Sequence, residues 1–380
     1  MNKSPFFLIA ISLIFLLFGC RGNEYIPQIE ETPLPPEASG KIRGFYLLNE
    51  GAMGTNQATL DYLDYTKGIY HKNIYATANP SVVKELGDVG NDLQVYGSKL
   101  YAVINVSGKI EVLDTKTAKR IKSIPLQNCR YICFSGGKAY ASSYNGKISP
   151  DPKAPLGKVV EIDTASLSIQ REVIVGYQPE ELVVGENSKL FVVNSGGYRF
   201  PNYDKTLSII DLKTFTEEKK IDIDINLHRI KKDRFGDLYI SSRGDYYNHK
   251  SNLFVVDAST GEVKKSFDIP VSNMTIVNDK LYYYANDFNY NTHTTKKSFG
   301  VIDVESETIL STDLIPTEYQ KKIQNPYGIA VNPISGDIYI TDARDYTSIG
   351  YIYAFDKNGN FKWEQSAGNI PAHFAFVYKD

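Results

Sequence analysis

The most concentrated chemistry in this sequence is a recurring mixture of tyrosine, asparagine and arginine in a few long polar stretches. Tyr198, Phe200, Asn202 and Tyr203 stand in one, and Arg243, Asp245, Tyr246, Tyr247 and Asn248 in a second. Phe288, Asn289, Tyr290 and Asn291 form a third, Arg344, Asp345 and Tyr346 a fourth, while Tyr144 and Tyr327 fall in two more. Rigid aromatics beside amides and guanidiniums give broad apolar contact with hydrogen bonds at its margins, which suits a large amphipathic ligand. For any single tyrosine, packing of its own loop explains the residue equally well. The set is the stronger signal.

Reactive chemistry is sparse by comparison. None of His71, His228, His249, His293 and His373 has a carboxylate or cysteine at metal-ligand spacing, and no HExxH, CxxC or G-x-S-x-G pattern occurs. His249 and His293 read as exposed loop residues, and His373 falls near the expected channel mouth. Asp342 and Asp345 could contribute to a structural calcium site, which needs six to eight oxygen ligands; two carboxylates are weak evidence for one. No cofactor and no catalytic residue is expected. Lys and Arg total 42 against 44 Asp and Glu, so there is no electrostatic footprint for nucleic acid.

The elements that must position these residues repeat. An apolar strand ending in Asp recurs at Tyr62-Leu63-Asp64, Val112-Leu113-Asp114, Glu161-Ile162-Asp163, Ile209-Ile210-Asp211, Val255-Val256-Asp257, Val301-Ile302-Asp303 and Ala354-Phe355-Asp356, in steps of 50, 49, 48, 46, 46 and 53 residues. Each Asp opens a turn, where its carboxylate bonds the backbone two residues on. A second strand lies upstream of each Asp, as in Tyr101–Asn105 and Leu238–Ser242, usually behind a tight Gly or Asn turn. A strand before that turn and a polar one after the Asp turn complete four per unit, with no helical periodicity. The expectation is an all-β, seven-bladed propeller of four antiparallel strands per blade. The first unit lacks an opening strand, and Ala372–Tyr378 is expected to supply it beside Phe45–Asn49, since an open ring would leave two sheet edges bare.

In such a blade the second-to-third loops and the blade-to-blade links share one face. Here these are the long connections, including 142–158, 194–206, 241–251, 286–298 and 342–350. Connections longer than their joining task commonly carry function.

The first residues do not belong to this fold. Lys3 precedes an apolar run, Phe6 to Phe18, that is shorter than the roughly 20 residues of a membrane-spanning helix. It ends in Leu17-Phe18-Gly19-Cys20 and resembles a bacterial lipoprotein signal with its lipobox. That resemblance implies cleavage after residue 19 and acylation of Cys20, for instance with palmitate. Residues 20–41, rich in Pro and Glu, read as a flexible tether, and 42–380 as the propeller. Cys129 and Cys133 lie about 13 Å apart on a strand, too far for a disulfide, and read as free thiols.

Asn325-Pro326-Tyr327-Gly328-Ile329-Ala330-Val331-Asn332, continuing to Asp337-Ile338-Tyr339-Ile340-Thr341-Asp342, looks like an NHL or YVTN propeller repeat. With the lipobox and tether, the chain resembles the surface propeller lipoproteins of gut Bacteroidota. Well-known members of that group capture cobalamin and pass it to an outer-membrane TonB-dependent transporter. The resemblance implies an outer-membrane lipoprotein facing the cell exterior, whose long-loop face binds cobalamin or a related corrinoid without turnover. Two other readings stay open: a metal-dependent propeller lactonase, and a scaffold that binds protein or glycan.

Overall fold

A computed structural model describes residues 30–35, 40–82 and 86–379. The signal segment, Cys20 and most of the expected tether lie outside the described residues. Among those described, the strands form seven antiparallel sheets, six of four strands and one of five. The innermost strands, 90–96, 129–135, 179–184, 227–232, 271–277, 326–331 and 371–378, contact one another in cyclic order. The fold is a seven-bladed β-propeller. We number the blades by the order of their second strands, so that blade 1 holds Ile42–Asn49 and blade 7 holds Ile338–Asp342.

The strands are apolar on both sides because each sheet is covered on both sides. Along Lys99–Ile104, Leu100, Ala102 and Ile104 pack toward blade 1, whereas Tyr101 and Val103 pack toward blade 3. This is the two-residue period of a strand with both faces buried. Among the described residues the core is seven apolar clusters, one at each interface between neighbouring blades.

The Asp turns form as expected. Asp114 accepts N–H bonds from Lys116 and Thr117 at 3.0 and 2.9 Å, and Asp211 from Lys213 and Thr214 at 2.7 and 3.0 Å. The Ser259 hydroxyl and the Thr260 N–H hold the Asp257 carboxyl down at about 2. Four residues after the Asp, the backbone is left-handed at Gly68, Ala118, Leu167, Phe215, Gly261 and Glu307. That conformation costs a residue with a Cβ about 1–2 kcal/mol. Leu167 and Phe215 bury their side chains between blades, a gain of about 1.5–3 kcal/mol that outweighs it.

Blade 1 is composite. Pro371–Tyr378 pairs antiparallel with Ile42–Asn49, setting Phe45 opposite Phe376 and Leu47 opposite Phe374. Phe45, Phe374, Phe376 and Tyr339 then share one aromatic cluster across the seam to blade 7. The backbones approach closely there: a Cβ on Gly328 would lie 2.2 Å from the Ala372 carbonyl oxygen.

Three features depart from the sequence expectation. Glu30–Pro33, assigned to the tether, pairs with Ile69–Lys72 as a fifth, outermost strand of blade 1, and Lys72 bonds Glu30 at 2.8 Å. Exposed edge groups recruit a polar segment there without any hydrophobic pattern. Much of the stretch 286–298 is a ladder, with Lys280–Asn289 and Thr294–Asp303 extending past the ring as a hairpin. Short helices, Ile74–Ala78 and Thr317–Lys322, occupy two links.

Deleting residues 371–380 removes the innermost strand of blade 1. Thermal unfolding followed by circular dichroism should lose its single cooperative transition. An unchanged melting profile would show that the seam does not hold the ring.

Candidate functional site

Each innermost strand begins just after a blade-to-blade link. Its second and third residues around the ring are Asn91-Asp92, Arg130-Tyr131, Glu180-Glu181, His228-Arg229, Ser272-Asn273, Tyr327-Gly328 and Ala372-His373. In most blades the register to the second strand slips here, between Gly90 and Asp92, Pro179 and Leu182, Leu227 and Ile230, Val271 and Asn273, and Pro326 and Ile329. Such bulges release residues from the ladder and re-aim their side chains. These side chains line the propeller axis.

A cavity of about 770 Å³ opens at the long-loop end of that axis. All seven blades contribute, with Met53, Asn105, Tyr144, Tyr198, Arg243, Tyr290 and Tyr346 from blades 1 to 7. A smaller space of about 280 Å³ lies among Asp92, Glu181, Lys231, Asn273 and His373, and Arg229 borders both.

The floor of the bowl is charged. Glu180, fully buried, accepts two bonds from Arg130, at 3.0 Å from Nε and 2.9 Å from Nη2, and one at 2.5 Å from the Tyr144 hydroxyl. Arg243 approaches the same carboxylate at 3.7 Å. Glu181 accepts from Lys231 at 2.6 Å and lies 3.9 Å from Arg229. Arg130 and Arg229 both lie over the Tyr131 ring, with centroid distances of 5.8 and 4.9 Å. The Tyr131 hydroxyl meets His228 Nε2 at 3.3 Å. Burial, then Arg243, Arg229, Arg130 and Lys231, push His228 well below its ordinary value, so the imidazole stays neutral. On the wall, Glu50 accepts from the Tyr327 hydroxyl at 2.8 Å and meets His373 Nε2 at 3.0 Å.

The rim is aromatic. Tyr247 stacks on Tyr290 at 5.2 Å, Phe288 meets Tyr290 edge-on at 4.9 Å, and Phe200 lies 6.2 Å from Tyr247. Phe200, Tyr246, Tyr247 and Tyr290 are all exposed. Tyr246 and Tyr346 hold left-handed backbone, a conformation that clusters at binding sites.

Of the residues singled out from the sequence, Tyr144, Tyr198, Arg243, Tyr246, Phe288, Tyr290, Tyr327 and Tyr346 line the bowl. Tyr144 is almost wholly buried and braces Glu180. Phe200, Tyr203 and Tyr247 extend the rim beyond the lining, and Asn202 and Asn248 are exposed outside it. Arg344 lies over Tyr351 and is not part of the cavity lining. Asp342 accepts the N–H groups of Gln324, Asn325 and Arg344 at 2.8–2.9 Å, and Asp345 those of Thr347 and Ser348. Among the described residues, no three His, Cys, Asp or Glu converge closely enough to hold a metal.

Sequence reasoning passed over Arg130, Tyr131, Glu180, His228 and Arg229. A signal existed: the second residue of the opening strand carries a polar group in six of the seven blades, Ala372 being the exception.

Residues 43–376 match a family described as a domain of unknown function, DUF5074. The chain belongs to this family. No curated protein is similar to it in sequence. The DUF5074 chain is similar in structure to a quinoprotein alcohol dehydrogenase-like protein from Bacteroides thetaiotaomicron, with TM-score 0.61 and 14% identity over 88% of this chain and 78% of that one. It is also similar to hydrazine synthase from Kuenenia stuttgartiensis, with TM-score 0.55 and 14% identity over 71% and 77%. The computationally designed Ika8 protein matches at TM-score 0.54 and 12% identity over 92% and 93%. At such identities these likenesses show the propeller fold.

Replacing Glu180 leaves Arg130 without its buried counter-charge, a loss of about 3–5 kcal/mol for such pairs. Glu180→Gln should therefore lower the urea midpoint markedly. An unaltered midpoint would mean that the floor network adds no stability.

Proposed function

We propose that this DUF5074 propeller is a binding protein whose long-loop bowl captures an amphipathic small molecule, with cobalamin or a related corrinoid as that ligand. The observation that carries the reading is a single bowl lined from all seven blades, with aromatic rings at the rim and hydrogen-bonding groups beneath. A flat macrocycle edged with amides suits those surroundings: rings cover its apolar faces, and Asn, Arg and Tyr groups meet its polar margin. In this reading acylated Cys20 anchors the protein to the outer membrane, and a TonB-dependent transporter receives the ligand. The anchoring rests on the lipobox resemblance, and the transporter on the resemblance to surface propeller lipoproteins.

The test is isothermal titration of cyanocobalamin into the full-length protein in mild detergent. Saturable binding is expected, weakened at least tenfold by Tyr290→Ala and by Tyr198→Ala, both exposed rim positions. Absence of heat at tens of micromolar protein would remove the corrinoid.

A further inference from the structure

In the floor of the bowl four cationic side chains crowd two carboxylates. Arg130, Arg229, Arg243 and Lys231 are gathered around Glu180 and Glu181. Arg130 and Arg243 share Glu180. Lys231, at 2.6 Å, takes the Glu181 oxygen that Arg229 approaches only to 3.9 Å. Arg229 is 8% exposed, and its Nε has no hydrogen-bond partner. A buried guanidinium donor left unpaired costs free energy, yet this one belongs to a side chain that borders the cavity.

The remaining acids bond other partners, although Asp92 lies near enough to act on Arg229. Both Glu50 oxygens are engaged by Tyr327 and His373, and Asp287 accepts from the Ser251 hydroxyl at 2.9 Å. Burial favours the neutral form of Asp92, which already accepts the Ile132 N–H. His228, held neutral among the cations, adds a ring nitrogen without adding charge.

We propose that Arg130, Arg229 and Arg243 form a subsite for an anionic oxygen group, a phosphate or carboxylate, carried by the ligand into the floor of the bowl. Planar guanidiniums match the paired oxygens of such groups, and the surrounding low dielectric strengthens the attraction. Glu180 then has a positioning role: it holds Arg130 and Tyr144 in place from behind. The anion offsets the positive charge that Glu180 and Glu181 leave uncompensated in this cluster. The inference rests on the reading of the bowl as the ligand site and adds the chemical class that its floor selects.

Inorganic pyrophosphate and citrate, each titrated into the full-length protein at constant ionic strength, test it directly. One saturable site is expected, and the tighter of the two anions names the favoured group. Affinity should fall at least tenfold in Arg229→Gln and in Arg243→Gln, and hold in Arg234→Gln, an exposed arginine outside the bowl. If Arg229→Gln does not fold, Arg243→Gln decides, since its side chain is 30% exposed. Binding of neither anion, or affinity unmoved by the arginine variants, overturns the subsite. Cyanocobalamin binding without anion binding would leave the bowl standing and remove the subsite. Anion binding without cyanocobalamin would keep the subsite and remove the corrinoid.

Discussion

The antiparallel pairing of Pro371–Tyr378 with Ile42–Asn49 is the contact on which the remaining structure depends. Each blade is apolar on both faces, so a sheet is stable only when both neighbours are present. Six of the seven interfaces join blades consecutive in the chain. The seventh joins the first blade to the last, and only a C-terminal strand placed innermost in blade 1 can build it. Phe45, Phe374 and Phe376 packing on Tyr339 turn that closure into apolar burial. Gly328 lets the two backbones come close enough.

Closure also decides where function can sit. In a closed ring, the two sets of connections go to opposite faces. The Asp turns need only a carboxylate and two N–H groups, so they stay short on one face. The links and second-to-third loops have no such local solution. They rise together on the other face and bring seven blades to one bowl. Bulges at the head of the innermost strands then direct polar side chains to the axis, where burial makes their charges count. An aromatic rim above a cationic floor follows from one repeat position being apolar-poor and one loop set being long.

Much of the architecture was legible because it is local. Asp114 or Asp211 marks its turn with contacts inside five residues, and the period between such turns sets the number of blades. The rim was legible for another reason: Tyr198, Tyr246 and Tyr290 sit in loops with no apolar core to fill. The floor was not. Arg130, Glu180 and Arg229 lie inside strands, where polar residues break the apolar pattern, but the direction in which they point is set by register slips. Glu30–Pro33 was missed because edge pairing asks for backbone groups rather than side chains, and the 280–303 hairpin because its outer residues, Phe288 apart, are mostly polar.

The most direct measurement of the central claim, that the long-loop face is the ligand face, is hydrogen–deuterium exchange on the full-length protein with and without cyanocobalamin. Protection should appear in segments 198–203, 243–248 and 286–291, with exchange at the Asp turns unchanged. Protection centred on the turns at Asp114, Asp163 and Asp211, or none on the bowl, would contradict the account.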